Sequence, residues 1–183
     1  MSFVSRAGQK LDHAITTFSV DVSGAVCADL GCSTGGFVDC LLQRGASKVF
    51  AVDTGYGVLE YKLRIDPRVV VMERTNAMHV TLPEPADWVS IDVAWTKQKH
   101  ILPAAKKILK AGGRVITLIK PHYEAEAAQL RAGILPDEVL DAVVTDVINQ
   151  IKSAGFEVIA TVTSPIRGAK GNTEVLALLR VAE

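Results

Sequence analysis

The chain has 183 residues and a mass of 19.6 kDa, a length typical of one domain. Hydrophobic residues make up 49% of the sequence and charged residues 22%, which excludes a disordered chain and a collagen-like polymer. The 20 basic and 20 acidic residues cancel, which argues against tight, non-specific binding of polyanions but leaves local basic clusters open. The apolar stretches are of strand length, so we expect no membrane partner, and the first residues do not resemble a signal peptide.

The cysteine content indicates a reducing compartment. Cys27, Cys32 and Cys40 are an odd number of thiols without C-x-x-C spacing. Such a pattern fits reduced thiols in a cytosolic chain better than a disulfide or zinc framework. We therefore expect a cytoplasmic protein and predict no bound metal.

Hydrophobic periodicity predicts helices and strands in alternation. Apolar residues at helical spacing predict a first helix over residues 5–18. Short apolar runs predict seven strands, at residues 25–30, 48–52, 69–72, 88–92, 114–120, 157–162 and 175–179. Further helices are expected at residues 37–43, before a stop at Gly112-Gly113, and from Pro136-Asp137 to Gly155.

This order of elements predicts the fold class. Strands that alternate with helices and carry near-continuous apolar runs are typical of a doubly wound α/β fold with a mostly parallel sheet. Only a loop over residues 163–173 separates the last two predicted strands, so they should be antiparallel to each other. We expect a seven-stranded sheet in which the last strand is antiparallel.

A glycine-rich turn follows the first predicted strand. Asp29 is followed by Gly31, Gly35 and Gly36, and the second strand ends in Asp53, 22 residues after Gly31. Glycines allow close backbone approach to a ligand, and an acid at that interval suits ribose hydroxyls. The pattern indicates a nucleoside-containing cofactor, although a tight turn with a solvent-facing acid remains open. A P-loop is excluded because Phe37 follows Gly36, and a serine at position 33 disfavours a dinucleotide fingerprint.

These motifs resemble those of a known family. The run from Asp29 to Phe37, with Ala51-Val52-Asp53 and Gly55-Tyr56-Gly57, resembles the S-adenosylmethionine site of the FtsJ-like methyltransferases. Within them the chain is most similar to the TlyA (haemolysin-A-like) branch of RNA ribose 2'-O-methyltransferases. Further matches extend to about residue 180 in the family's order: Val4-Ser5-Arg6, Glu73-Arg74-Thr75-Asn76-Ala77, Ile91-Asp92-Val93, Lys120-Pro121, Ser164-Pro165-Ile166 and Lys170-Gly171-Asn172.

The resemblance implies a Rossmann-like S-adenosylmethionine-dependent methyltransferase fold. It implies one methyltransferase domain over residues 1–183, with residues 1–20 as a helical extension that contributes to the active site, and without the branch's N-terminal RNA-binding domain. The implied partner is RNA, most of all ribosomal RNA or a ribosomal subunit. The sequence does not define the oligomeric state.

The resemblance also implies a catalytic set of Lys10, Asp92, Lys120 and Glu174. Reasoning from the residues supports part of it, because Asp92 and Lys120 end neighbouring strands and Glu174 begins the antiparallel one at the same edge. Each residue taken singly could instead be a surface ion-pair partner. A ribose 2'-hydroxyl is a poor nucleophile, so Lys120 is expected to act either as a general base or as a cation that stabilises the alkoxide.

The expected cofactor contacts follow the same order. The turn should hold the methionine portion, Asp53 the ribose and Asn76 the adenine, while Tyr56 either walls the adenine or only packs. The predicted cofactor-binding residues are Asp29, Gly31, Ser33, Thr34, Gly35, Gly36, Phe37, Asp53, Asn76 and Asp92.

The acceptor side departs from the family pattern, notably at Ala7, Gln9 and the run Ala94-Trp95-Thr96-Lys97. Arg167 and Lys170 are expected to contact phosphates, and His122-Tyr123 either to stack on a base or to pack. Two alternative functions remain: a methyltransferase for a small molecule or a protein, and a non-catalytic module that binds the cofactor or RNA. A haemolytic role lacks a membrane-active segment.

Overall fold

The computed structural model describes residues 2–182. Its strands are β1 (Val26–Leu30), β2 (Lys48–Val52), β3 (Val69–Met72), β4 (Ala86–Ile91), β5 (Leu109–Ile119), β6 (Phe156–Thr163) and β7 (Val175–Val181). Its α-helices are α1 (Ala7–Thr17), α2 (Gly36–Gln43), α3 (Tyr61–Arg64), α4 (Gln98–Ile108), α5 (Pro121–Glu124) and α6 (Asp137–Ser153). No helix between residues 2 and 182 has the length and apolar character needed to cross a membrane.

The strands described for residues 2–182 form one seven-stranded sheet in the order β3-β2-β1-β4-β5-β7-β6. The pairs β1–β2, β1–β4, β2–β3 and β4–β5 are parallel, whereas β7 is antiparallel to both β5 and β6. The last strand in the chain therefore runs against its neighbours, as predicted. The bounds of β2 and β3 coincide with the predicted ones.

Helices cover both faces of the sheet, which explains why its central strands are apolar along their whole length. On one face, α4 and α6 bury Ile101, Leu102 and Ile151 against the sheet. On the other face, α1 and α2 bury Leu11 and Phe37. Three free thiols are packed in this second cluster: Cys27, Cys32 and Cys40.

The glycine pair Gly112-Gly113 does not end a helix, so that prediction is wrong. Helix α4 already ends at Ile108, and both glycines lie within β5. The register between β4 and β5 shifts here, and a Cβ on Gly113 would lie 2.9 Å from the Lys110 carbonyl oxygen. The pair therefore marks an irregular strand start, where the backbone approaches Gly113 too closely for a side chain.

Helix α1 packs on the start of α2 through two glycines. A Cβ on Gly36 would lie 2.8 Å from the Gly8 nitrogen, and a Cβ on Gly8 would lie 2.8 Å from the Gly36 carbonyl oxygen. The segment before α1 is also tied to α2, because the Val4 amide donates to the Asp39 carboxylate at 2.8 Å. These contacts fix the position of α1, and with it that of Lys10.

The substitution Gly36→Ala should displace α1 from α2. We expect it to lower the free energy of unfolding by about 1–3 kcal/mol, because the added methyl group meets backbone that cannot move aside. Chemical denaturation measures the change. Gly112→Ala is the control, because its Cβ would meet nothing within 4 Å and carries only the cost of a left-handed φ. Equal losses in the two variants would contradict this packing.

Candidate active site

Two adjoining cavities open at the carboxyl ends of the parallel strands. The first, of about 270 Å³, lies between the glycine turn after β1 and the side chains of Asp92 and Lys120. The second, of about 360 Å³, extends over Asp53 toward Asn76. Both are lined by the same four residues at their junction, which are Gly31, Ser33, Asp92 and Ala94. The site is therefore one cleft with two compartments.

The turn between β1 and α2 is shaped by left-handed residues. Gly31, Ser33 and Gly35 have φ angles of 87°, 48° and 98°. A Cβ on Gly31 would lie 2.5 Å from the Asp92 carbonyl oxygen, so position 31 requires glycine. Gly35 does not line the cleft but faces Leu59, whose side chain a Cβ would meet at 2.7 Å. Its role is to turn the chain into α2.

Asp29 is a buried acid, and only one of its two carboxylate oxygens accepts a hydrogen bond from the described residues. Its Oδ1 accepts a hydrogen bond from the Ser90 hydroxyl at 2.7 Å, while its Oδ2 has no hydrogen-bond partner among residues 2–182. The pKa of Asp29 is raised to about 8, chiefly by burial and also by the negative charges of Asp92 and Asp53, against the lowering effect of the Ser90 hydrogen bond. The acid lines the first compartment, where an ammonium group would supply the missing donor.

Asp53 joins the two sides of the second compartment. Its Oδ2 accepts from the Ser33 amide at 2.8 Å and its Oδ1 from the Gly55 amide at 2.7 Å. These bonds orient the carboxylate at the end of β2 and leave lone pairs for hydroxyl donors. Asn76 lines the same compartment, but its side-chain oxygen caps the short helix at Ala77–His79 by accepting from the Met78 amide at 3.0 Å.

The four predicted catalytic residues form two ion pairs. Lys120 Nζ lies 2.6 Å from Asp92 Oδ1 and also donates to the Val93 carbonyl at 3.2 Å. Lys10 Nζ lies 2.5 Å from Glu174 Oε2, and both side chains are buried. Ile119 faces Val175 in the β5–β7 register, so Lys120 and Glu174 leave the sheet side by side.

A buried histidine lies close to both pairs. Burial lowers the pKa of His122, and the positive charges of Lys120 and Lys10 lower it further. His122 is therefore neutral near pH 7, and its Nδ1 has no hydrogen-bond partner within the described part of the chain. Because two amines and two acids otherwise cancel, a neutral imidazole leaves the cluster without net charge.

A loop over residues 164–173 covers Glu174. A Cβ on Gly168 would lie 2.6 Å from the Glu174 carboxyl carbon. Asn172 ties this loop to the segment before α6, because its side chain accepts from the Leu135 amide at 2.9 Å and donates to the Gly133 carbonyl at 3.0 Å. The acceptor-side rim is thus one connected piece.

Sequence reasoning missed several residues of the site. Ser90 is not among the predicted site residues. A serine in an apolar strand beside a strand that carries an acid indicates a hydrogen bond between the two, as the contact with Asp29 shows. Trp95 lines the second compartment, is 79% exposed and has a left-handed φ of 65°. Tyr56, whose role was open, is 69% exposed and stacks on Arg74, whose guanidinium carbon lies 4.3 Å from the ring centre. Tyr56 is not one of the described residues that line the cleft.

The sheet order, its one reversed strand within residues 2–182, and the cleft at the strand ends define a Rossmann-like methyltransferase fold. The model of the FtsJ-like methyltransferases matches residues 3–181. The chain therefore belongs to the FtsJ-like methyltransferase family. This membership confirms the predicted family and enzyme class, with S-adenosylmethionine as the cofactor.

Individual relatives agree with this membership. Hemolysin A of Brachyspira hyodysenteriae is 41% identical over 97% of this chain and 76% of its own length. The 16S/23S rRNA (cytidine-2'-O)-methyltransferase TlyA of Mycobacterium tuberculosis is 38% identical over 98% of this chain and 69% of its own length. A solved structure of a protein named as a hemolysin, from Streptococcus thermophilus, is 39% identical with a TM-score of 0.96, covering 100% of this chain and 68% of that one.

The residues of the cleft fit the cofactor. The unpartnered Oδ2 of Asp29 suits the ammonium of its methionine portion, the bare backbone at Gly31 permits close approach, and the carboxylate of Asp53 suits ribose hydroxyls.

Cofactor affinity should depend on the protonation of Asp29. Because the pKa of Asp29 in the free protein is about 8, binding an ammonium at lower pH requires the acid to release its proton. We expect the affinity for S-adenosylhomocysteine to rise by up to about tenfold per pH unit below pH 8. Calorimetric titration over this range, with Asp29→Asn as the comparison, measures the effect. An identical pH dependence in the two proteins would disprove it.

The same acid should make the free protein less stable at higher pH. The ordinary pKa of 3.8 applies to the unfolded chain and the raised pKa of about 8 to the folded one, so stability falls as pH rises between them. Above this range we expect Asp29→Asn to be more stable than the wild type by about 1 kcal/mol or more. Thermal unfolding at several pH values tests this, and equal melting temperatures throughout would contradict it.

Proposed function

We propose that this chain transfers the methyl group of S-adenosylmethionine to a ribose 2'-hydroxyl of ribosomal RNA. The observation that carries the proposal is the Lys120–Asp92 ion pair, which lines a cleft that fits the cofactor, together with the buried Lys10–Glu174 pair at the same edge of the sheet. The printed name of the Mycobacterium tuberculosis relative, an rRNA (cytidine-2'-O)-methyltransferase, supports this acceptor.

The cofactor supplies an electrophilic methyl group, and the chain holds it. Asp29 would accept the ammonium, the turn from Gly31 to Phe37 would approach the methionine portion, and Asp53 would accept the ribose hydroxyls. Asn76 would contribute to the adenine end of the second compartment, which it lines. The two compartments meet at Asp92, so the methyl group would face the Lys120 side.

Lys120 is the residue best placed to act on the acceptor. An ammonium has three donors, and Lys120 uses two of them on Asp92 and Val93. The third N–H is available to stabilise the 2'-oxygen as an alkoxide. As a general base Lys120 would instead act in its neutral form, with the free lone pair taking the proton of the 2'-hydroxyl. Lys10 and Glu174, which are buried beside Lys120 at the same edge of the sheet, would complete the catalytic set. In either role of Lys120 the positioning of donor and acceptor supplies much of the rate.

The rim beside Glu174 offers a surface for the RNA backbone. A groove of about 510 Å³ lies between the loop over residues 164–173 and the start of α6, and it is lined by Arg131, Arg167 and Lys170. Arg131 pairs with Glu138 at 3.0 Å, whereas Arg167 and Lys170 have no carboxylate within 4.0 Å among residues 2–182. These two side chains would contact phosphates.

Aromatic side chains on the other side of the cleft suit a base. The ring centres of Trp95 and Tyr123 are 4.9 Å apart, and Trp95 is largely exposed. His122 is buried, so only Tyr123 of the predicted pair would stack.

The proposal includes the remaining expectations for the whole protein. Residues 1–183 would act as one methyltransferase domain, with residues 1–20 as the extension that carries Lys10. The chain spans 69–76% of the length of the curated relatives described above. An rRNA or ribosomal-subunit acceptor would locate the reaction in the cytoplasm.

A transfer assay tests the function. Incubation with methyl-labelled cofactor and intact ribosomal subunits should yield labelled 2'-O-methyl nucleosides, and Lys120→Ala should lower the rate by about a hundredfold or more. Lys107→Ala, on the exposed face of α4, is the control and should keep the wild-type rate. Label in a protein or in a small molecule would support the alternative of a methyltransferase for those acceptors. Cofactor binding without transfer to any acceptor would support a non-catalytic module.

Removal of the ribose contact tests the cofactor assignment. Asp53→Ala should weaken S-adenosylhomocysteine binding by about tenfold or more, because it deletes a charged acceptor and loosens the turn at Ser33. A thermal-shift titration gives the comparison. Glu84→Ala, a half-exposed acid whose only polar contact among the described residues is Lys48, is the control. Unchanged binding by Asp53→Ala would remove the assignment.

A further inference from the structure

A buried hydrogen-bond network lies behind the cleft. The Thr117 hydroxyl on β5 donates to the Gln98 side-chain oxygen at 2.8 Å, and the Gln98 backbone amide donates to Glu124 Oε1 at 2.8 Å. The three side chains are 0%, 2% and 8% exposed. None of them lines the cleft described above. The network is therefore part of the scaffold and not of the surface that the substrates reach.

Glu124 joins the two segments that carry one of the ion pairs. Gln98 is the first residue of α4, which follows the loop that starts at Asp92. Its preceding residue, Lys97, forms no side-chain cap, and the Gln98 amide, one of the free amides at the start of α4, takes its acceptor from Glu124. Glu124 ends α5, four residues after Lys120. The loops that leave β4 and β5 are thus braced together.

The second oxygen of Glu124 is unsatisfied. Oε2 has no hydrogen-bond partner among residues 2–182, and neither has Gln150 Oε1 on α6. Both residues line a cavity of about 130 Å³, whose charged groups are Lys97, Lys99, Glu126 and Asp146. Burial raises the pKa of Glu124, against the lowering effects of the Gln98 amide and the two lysines. A proton on Oε2 would bring a donor into a cavity where a side-chain oxygen of each of the two residues lacks one.

We propose that Glu124 is a positioning residue, which caps α4 from the end of α5 and so holds Asp92 and Lys120 at the 2.6 Å separation of their ion pair. The inference rests on the proposed function. The property that matters is a side-chain oxygen of the right reach, not a negative charge. An amide of the same length should therefore replace the carboxyl, whereas a shorter acid should not.

Three substitutions separate these features. Glu124→Gln keeps the acceptor for Gln98 and adds an N–H in the cavity that Gln150 also lines, so kcat for methyl transfer should stay within about threefold of the wild type. Glu124→Asp keeps the charge but loses the reach, and Glu124→Ala loses both. For these two we expect kcat to fall by about ten- to a hundredfold, while the Kd for S-adenosylhomocysteine changes by less than about threefold. Glu126→Gln, at a side chain that is 84% exposed, is the control.

Two further measurements use the same proteins and do not depend on activity. Amide hydrogen exchange in the segment 93–101 should be faster in Glu124→Asp and Glu124→Ala and unchanged in Glu124→Gln. The wild type should also lose stability relative to Glu124→Gln as pH rises above the ordinary carboxyl pKa of 4.5. The reason is that the pKa of Glu124 is higher in the folded chain, so this side chain ionises at a lower pH when the chain is unfolded.

Wild-type kcat in Glu124→Asp, or equal damage in Glu124→Gln and Glu124→Asp, would overturn the inference. If the wild type itself transfers no methyl group, the proposed function fails, and the exchange data still decide whether Glu124 braces the two loops. If Glu124→Ala does not fold, the comparison between Glu124→Gln and Glu124→Asp remains decisive.

Discussion

The active site depends on the reversal of a single strand. In a parallel sheet, residues that follow their strands meet at one edge, and residues that precede them lie at the other. Because β7 runs against β5, the residue that precedes it, Glu174, reaches the same edge as Asp92 and Lys120, which follow β4 and β5. The α/β sheet thereby obtains an acid from the far end of the sequence, and this acid in turn fixes Lys10 from the first helix.

Charge balance explains how so many ionisable groups coexist at this edge. An isolated buried charge is costly, but each lysine here lies against a carboxylate, and the nearby histidine is neutral. Asp29 is the exception, since its second oxygen lacks a donor among the described residues and its pKa is raised. In the proposed function, the ammonium of the cofactor would supply this donor and relieve the unfavourable burial.

The sequence contains enough information to predict the sheet, its reversed strand and the cleft, because apolar periodicity and glycine spacing are local signals. It does not reveal which lysine pairs with which acid, since Lys10 and Glu174 are distant in the chain and meet only through packing. The prediction that Gly112-Gly113 ends a helix is wrong because glycine is common both at the end of a helix and at an irregular strand start. Ser90 and Glu124 were missed because their partners lie on other elements.

Asn172 holds the loop over residues 164–173 in place at the rim, while exposed side chains of the same loop differ in how far they take part in the structure. The Asn172 amide fastens two loops from beneath, and the exposed Lys170 also joins them, because it donates to the Ala132 carbonyl at 3.1 Å. The exposed Arg167 bonds only within its own loop, so this position can be exchanged without disturbing the buried acid below. An evolving enzyme could retarget itself to a different nucleotide through a few surface replacements, leaving its reaction chemistry untouched.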